Sequence, residues 1–511
     1  MKKNGIFANY QKMKGKILIL GSGLGGLVCG YILSKNGYEV VVLEKNHQIG
    51  GCLQTFKRKG TKFDTGMHCI GSMDEGQILH RFFKYLNLLN NLKISRLDKD
   101  GYDVMSIAGD CYKFASGYEN FAQSLSQYFP NNSNEINRYV QRIQDIASAS
   151  PLYNLQEINN HVFIDSDYIK TSVNEFIASV TQNTRLQDVL AGNLPLYAGI
   201  RDKTPTYIHA LINNFYMQSA FRIVGGSDAI AHSLAKSIQS FGGKIITNAE
   251  AVQIICNHEK VTAVQLADNT VFETDYVISN IHPEATLSKI NSSLIRKSYR
   301  TRISELENTI SNFTVYIKFK KDATPYLNYN YYFYEHNDVW RNQFYDAEKY
   351  PEAYLYMHQC VEDKATFADS AELIGYMRYE EVKKWEGMPV GNRGGDYLEF
   401  KEEKAYRLLQ KLEQSFPGIN AAIDSYYTST PLTYRDYTAS KDGSMYGIIR
   451  DKNFPLQTLV SQRTKIPNLF MTGQNINSHG ILGVTIGAII TCAEFLGINP
   501  IIKQIKQANN D

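Results

Sequence analysis

The sequence predicts an α/β fold in which a Rossmann-type nucleotide-binding domain is assembled from separated stretches of chain, beside an α+β second domain. Three observations carry this. A short apolar strand, a glycine turn, a helix and a second apolar strand follow one another within residues 16–44. A strand, a glycine turn and a helix recur at 469–497. Between them, residues 221–283 read as further strands around one helix, the pieces a parallel sheet needs if the chain leaves it and returns. At 511 residues the chain is also too long for one simple core.

Taken in order, KILIL (16–20) is a strand, 24–36 carry a helical pattern ended by Gly37, and EVVVL (39–43) is the second strand of a βαβ unit. Residues 50–75 are glycine-rich and strand-like. From about 77 to 216 the pattern is mainly helical and polar-faced, broken at Pro130, and reads as an inserted domain. RIVGG (222–226), a helix through Ser240, the strand KIITNAEAVQII (244–255), a hairpin at 257–260 and a closing strand before Pro283 return to the first sheet. Residues 286–454 mix an aromatic strand (326–334) with a helix at 402–415. The expected division is therefore 1–75, 220–285 and 455–511 for the nucleotide domain, with 76–219 and 286–454 forming the second domain.

Composition excludes several classes. With 54 basic and 51 acidic residues the net charge is +3, which leaves no nucleic-acid footprint. The seven cysteines are scattered without a CxxC pair, which predicts reduced thiols in a cytoplasmic protein. The basic, polar start shows no export signal, and the apolar stretch 481–497 is interrupted by Thr485, Thr491 and Glu494, so a buried helix is expected there, with at most a peripheral membrane contact. Neither HExxH, GxSxG nor a Walker lysine is present, so metal and hydrolase chemistry are not expected.

Gly21, Gly23 and Gly26 form GxGxxG directly after the first strand, with Ser22, Leu24 and Gly25 between them. The chemistry is steric: a tight turn, backbone approach to a diphosphate and close helix packing, with the helix N-terminus offering unpaired N–H donors. Glu44, closing the second strand with Lys45 beside it, can accept from the hydroxyls of an adenosine ribose and repels a 2′-phosphate, which favours FAD or NAD over NADP. The C-terminal strand, the turn Gly473-Gln474-Asn475 and the helix through Gly480, Gly483 and Gly487 suit the far half of a long cofactor, which points to FAD.

At this point the chain resembles a known family. GSGLGG, VVVLEKNHQIGGCLQTF and FDTGMHCIG near the start, STPLTYRDYTASKDGSMYG at 429–447 and IPNLFMTGQNINSHGILGVTIGA near the end are similar to the retinol saturase and carotenoid isomerase branch of the phytoene desaturase-like FAD-dependent oxidoreductases. Cys52 follows the double glycine, as in the saturases, where amine oxidases have Arg. The resemblance implies a glutathione reductase-like FAD domain, with FAD held by Gly21, Gly23, Gly26 and Glu44, Gly50 and Gly51 near the diphosphate, Val252 offering backbone to adenine, and Gly473 with Asn475 at the flavin-side turn. Asn475 stands where the family usually has Asp. The implied substrate is an apolar polyene or isoprenoid of the retinoid or carotenoid class, with NAD or NADP as candidate external electron donors.

The candidates for catalysis are His68, just after the FDTG strand, and Tyr437 in the PLTYRDYT segment. Histidine exchanges protons near neutrality, and the resemblance places the His68 region near the flavin and the Tyr437 segment on the substrate side. Cys52 reads as a packing residue, and the aromatic strand at 326–334 as either a tunnel wall or a plain sheet strand.

Overall fold

The computed structural model describes residues 14–158 and 166–510, so most of the basic start lies outside the described residues. In chain order the elements that frame the site are β1 (Lys16–Leu20), α1 (Leu24–Lys35), β2 (Glu39–Leu43), β3 (Asp103–Ile107) and β4 (Asp110–Phe114). There follow α2 (Asp228–Ser240), β5 (Lys244–Ile246), β6 (Ala251–Cys256), β7 (Val261–Leu266), β8 (Val271–Glu273) and β9 (Tyr276–Ser279). The rest are β10 (Ser311–Phe319), β11 (Asn330–Tyr334), β12 (Ala353–His358), β13 (Ser370–Met377), α3 (Gly395–Ser415), β14 (Ile423–Ser429), α4 (Pro431–Thr438), β15 (Leu469–Met471) and α5 (Gly480–Leu496).

A five-stranded parallel sheet runs β5-β2-β1-β9-β15. Its strands are short unbroken apolar runs because both faces are covered. Ile17, Ile19, Val40 and Val42 face one core with Val28 and Ile32 of α1, while Leu18, Leu20, Val41 and Leu43 face another with Val264 and Leu287. Each such side chain contributes about 1.5–3 kcal/mol when buried. Helix α1 packs against both α2 and α5. Gly30 lets α2 come close, since a Cβ there would lie 2.9 Å from Ile238 Cδ1. Helix α5 is buried along most of its length, as its sequence predicts, and among the described residues no helix is long and apolar enough to cross a membrane.

A second, seven-stranded sheet runs β14-β10-β13-β12-β11-β3-β4. All its pairings are antiparallel except β11 with β3. Strands β6, β7 and β8 form a separate antiparallel sheet.

Two expectations change here. The region 77–216 is not only helical, because it contributes the β3–β4 hairpin. Ala108 and Gly109 both have positive φ, the backbone of a tight two-residue hairpin turn, and the fully buried DVMSI run has no alternation to betray it as a strand. The expected strand at 244–255 is two strands. Asn248, with φ 54°, turns the chain so that β5 joins the parallel sheet and β6 leaves it.

Candidate functional site

The site begins at the carboxyl ends of the parallel strands, where ligands bind in open α/β sheets. Gly21 N–H donates to Leu43 O at 2.8 Å, and Gly23 caps α1. Against this turn lies a second glycine turn: Gly50 N–H donates to Ser22 O at 3.1 Å, and a Cβ on Gly51 would stand 3.1 Å from Gly23 Cα. Buried Glu44 is held from both sides. Its Oε2 accepts from Ser22 N (3.0 Å) and Ser22 Oγ (2.6 Å), and its Oε1 from Asn46 N (2.9 Å). Both acceptor sites of Oε2 are therefore filled, and Oε1 keeps one further lone pair for a ribose hydroxyl.

Asn280, at the end of β9, is the residue the sequence reading missed. Added Cβ atoms on Gly23, Gly25 and Gly473 would come within 2.9, 2.6 and 2.7 Å of its side chain. One amide thus wedges together the glycine loop and the C-terminal turn. The only advance signal was its place at the carboxyl end of a central strand.

From this end a continuous cavity of ≈ 380 Å³ runs through the protein. Gly21, Gly23, Leu24, Gly25, Glu44, Lys45, Gly50 and Gly51 line its nucleotide end, Gly473, Gln474 and Asn475 its middle, and His68, Cys52 and Tyr434 the region beyond. Ser22, Gly26 and Gly483 do not line it. Ser22 orients Glu44; a Cβ on Gly26 would meet Gly21 O at 2.2 Å, and one on Gly483 would meet Ser478 Cβ at 2.7 Å, so both glycines set close packing. Val252 is also outside the lining and is 41% exposed, whereas its neighbours Ala249, Glu250 and Ala251 line the cavity. The reason is the turn at Asn248, which brings the chain past the cavity before β6 begins.

Asn475 is buried and its Oδ1 accepts from Ile448 N–H at 3.0 Å. That bond needs an acceptor only, so Asn supplies it as well as Asp. Tyr437 lies at the nucleotide end: its carbonyl accepts from Asn46 Nδ2 (2.9 Å), while Lys45 Nζ donates to the neighbouring Asp436 O (2.6 Å). One helical turn earlier, Tyr434 donates to Thr65 O at 2.9 Å in the FDTG segment, and burial pushes its hydroxyl well above the ordinary tyrosine range.

His68 Nδ1 is 2.6 Å from Oε2 of Glu372, a carboxylate only 1% exposed on β13. Burial works against charge on this imidazole, but Glu372 and then Asp64 outweigh it, so its pKa is raised above the ordinary 6.5. Asp64, fixed by Ser227 N–H at 2.7 Å, is itself pushed up to about 6 by burial and by Glu372. Behind them Arg222, 2% exposed, donates to Tyr329 O (2.8 Å) and Asn330 Oδ1 (3.0 Å), and Asn330 Nδ2 donates to Asp103 (2.8 Å). Burial pushes the Cys52 thiol up to about 11, which keeps it neutral and inert.

The remaining wall is one face of the seven-stranded sheet. Cross-strand rows Tyr332–Leu355–Ile374 and Asn330–Met357–Glu372 follow the strand period of two. Tyr332, Leu355, Met357, Ile374 and Tyr376 line the cavity, together with Pro195, Leu196 and Met445. The aromatic strand is therefore both a sheet strand and a cavity wall. The Tyr376 hydroxyl is buried with no hydrogen-bond partner among the described residues.

A glycine cradle that any Cβ would crowd, a held carboxylate at ribose position, and a long extension into an apolar, titratable chamber fit FAD with substrate beyond it. These features define an FAD-dependent oxidoreductase. The sequence matches the family described as flavin containing amine oxidoreductase over residues 24–493, and the chain belongs to that family. It is 26% identical to the all-trans-retinol 13,14-reductase of Homo sapiens, over 97% of this chain and 88% of that protein. It is 24% identical to the chloroplastic prolycopene isomerase of Arabidopsis thaliana, over 93% of this chain and 81% of that protein. In fold it is similar to the crystal structure of an oxidoreductase from Methanosarcina mazei, with a TM-score of 0.63 and 17% identity over 93% of this chain and 99% of that one.

Proposed function

We propose that this flavoenzyme saturates one C=C bond of an apolar polyene or isoprenoid of the retinoid or carotenoid class, with electrons from a nicotinamide donor, NAD or NADP in reduced form. The observation that carries the reading is the chamber beyond the flavin-side turn, walled by Leu355, Met357, Ile374 and Tyr332, with His68 and Glu372 as its ion pair. Similarity to a retinol reductase over nearly the whole chain supports it. FAD, when bound, supplies hydride exchange. The protein does the rest. The sheet face excludes water and aligns a long apolar chain, and His68, whose affinity for a proton Glu372 raises against burial, is placed to give a proton to the carbon that does not receive hydride. Tyr434 orients the segment carrying His68. In this proposal residues 1–75, 220–285 and 455–511 bind FAD, and 76–219 and 286–454 bind substrate.

A second reading, cis–trans isomerisation without net electron transfer, is favoured by similarity to the prolycopene isomerase. Product mass separates the two. The enzyme, reduced anaerobically and given an all-trans retinoid or a linear carotene, yields a product heavier by two hydrogens under the first reading. An unchanged mass with altered geometry supports the second, and a loss of two hydrogens by an oxidised enzyme sinks both.

A further inference from the structure

The middle of the cavity is bounded by the turn from Gly473 to Asn475 and by the first residues of α5, Gly480 and Ile481. Directly behind this turn stands Arg450. Its Nη2 donates to the carbonyls of Asn475 (2.9 Å), Ile476 (3.0 Å) and Asn477 (3.3 Å), and its Nη1 to that of Thr458. Neighbouring cations are paired with carboxylates, Lys452 with Glu175 and Arg463 with Glu494. Among the described residues Arg450 forms no ion pair; burial lowers its pKa from the ordinary arginine value, and the Tyr207 hydroxyl opposes that fall.

Carbonyl oxygens satisfy the guanidinium's donors and offset part of its field, but they bring no net charge, so the positive charge is not neutralised. His479, the nearest imidazole, adds none of its own. Burial first, and then Arg450, push its pKa down to about 4, and its ring rests on Tyr446, a cavity-lining residue, at a centroid distance of 4.6 Å. The N-terminus of α5, with Gly480 and Ile481 on the cavity, adds its partial positive charge at the same place. A fixed cation and a helix N-terminus therefore converge on one wall.

We propose that Arg450 is the counter-charge for reduced flavin: held behind the Asn475–Asn477 turn, it favours the negatively charged reduced ring over the neutral oxidised one and so raises the two-electron reduction potential. Reduction adds two electrons and one proton to the ring, which leaves one negative charge. Arg450 acts through this field and through the turn it grips, and is a positioning residue. The effect is independent of substrate and of the direction of the reaction, so its failure would leave the reading of the reaction untouched.

The test is the flavin midpoint potential of the FAD-loaded enzyme, measured during slow reduction by dithionite against a reference dye, in wild type, Arg450→Lys and Arg450→Gln. A tenfold preference for reduced over oxidised flavin corresponds to about 30 mV. Arg450→Gln is expected to lower the potential by about that amount or more. Arg450→Lys keeps the charge without the fork, so its potential should stay within about a third of that span of wild type. Equal falls in both variants, or no fall in the Gln variant, would overturn the proposal. Where the Gln variant does not retain FAD, the Lys variant decides, since a drop of the full span there is equally fatal. Wild type alone offers a further check: its reduced flavin should keep the spectrum of the deprotonated ring below neutral pH, and a protonated spectrum there contradicts the idea.

Discussion

Gly25→Ala separates helix propensity from the cofactor site. Gly25 is in the first turn of α1, and exchanging a helical Gly for Ala favours the helix by about 1 kcal/mol. The added Cβ, however, would stand 2.6 Å from Asn280 Oδ1 and 3.1 Å from both N and Cα of Gly473. Asn280 has little room to yield, because its Nδ2 already reaches Gly21 O at 3.3 Å and its Oδ1 crowds Gly473. Overpacking of this kind costs about 1–3 kcal/mol. In the apoprotein the Gly473 turn can shift and relieve it, so the net loss of apoprotein stability is at most about 2 kcal/mol after the propensity gain. With FAD the turn must sit in place, and the cost falls on binding as a roughly 5- to 150-fold weaker affinity. Titration of apoprotein with FAD, followed by quenching of flavin fluorescence, measures this directly. Asn280→Ala in the Gly25→Ala background should recover part of the loss. Wild-type affinity in Gly25→Ala would refute the wedge that joins the two turns around Asn280.

Glu372→Gln removes the partner that outweighs burial at His68, so the His68 pKa falls and the limb of the kcat profile that needs protonated His68 moves to lower pH; an unmoved limb rejects His68 as the proton donor. Tyr434→Phe should lower turnover with FAD content unchanged, whereas Tyr437→Phe, at the nucleotide end, should leave turnover of the FAD-saturated enzyme as it is; the reverse pattern would restore Tyr437 to the chemistry. Burial raises Asp103 from the ordinary 3.8 to about 7, so the folded state holds this proton more tightly than the unfolded chain and stability is lost as pH climbs between those values. Asp103→Asn keeps the acceptor for Asn330 and should gain up to about 4 kcal/mol over wild type near pH 8 but nothing near pH 4, by denaturant unfolding; a pH-independent difference contradicts the shift.

The nucleotide end was legible because its signals are local. Gly21, Gly23 and Gly26 sit at fixed spacing between a strand and a helix, and Glu44 closes the next strand, so adjacency in sequence becomes adjacency in space. The chamber was harder to read. Glu372 reaches His68 from about 300 residues away through the register of β12 with β13, and a lone Glu in an apolar run carries no mark of what it will face. Asn280 was hidden for the same reason. Tyr437 and Tyr434 differ by one helical turn, and sequence gives the segment without the phase that decides which ring meets the FDTG strand. The β3–β4 hairpin escaped because a strand buried on both faces loses its alternation.

The most direct test of the central claim is a single turnover in an anaerobic stopped-flow cell. Reduced enzyme is mixed with one equivalent of all-trans polyene, and flavin and polyene absorbance are followed together. The account predicts that flavin reoxidises while the polyene band shifts to shorter wavelength, one flavin per double bond lost. A polyene band that changes while flavin stays reduced contradicts saturation, as does oxidised flavin that the polyene itself reduces.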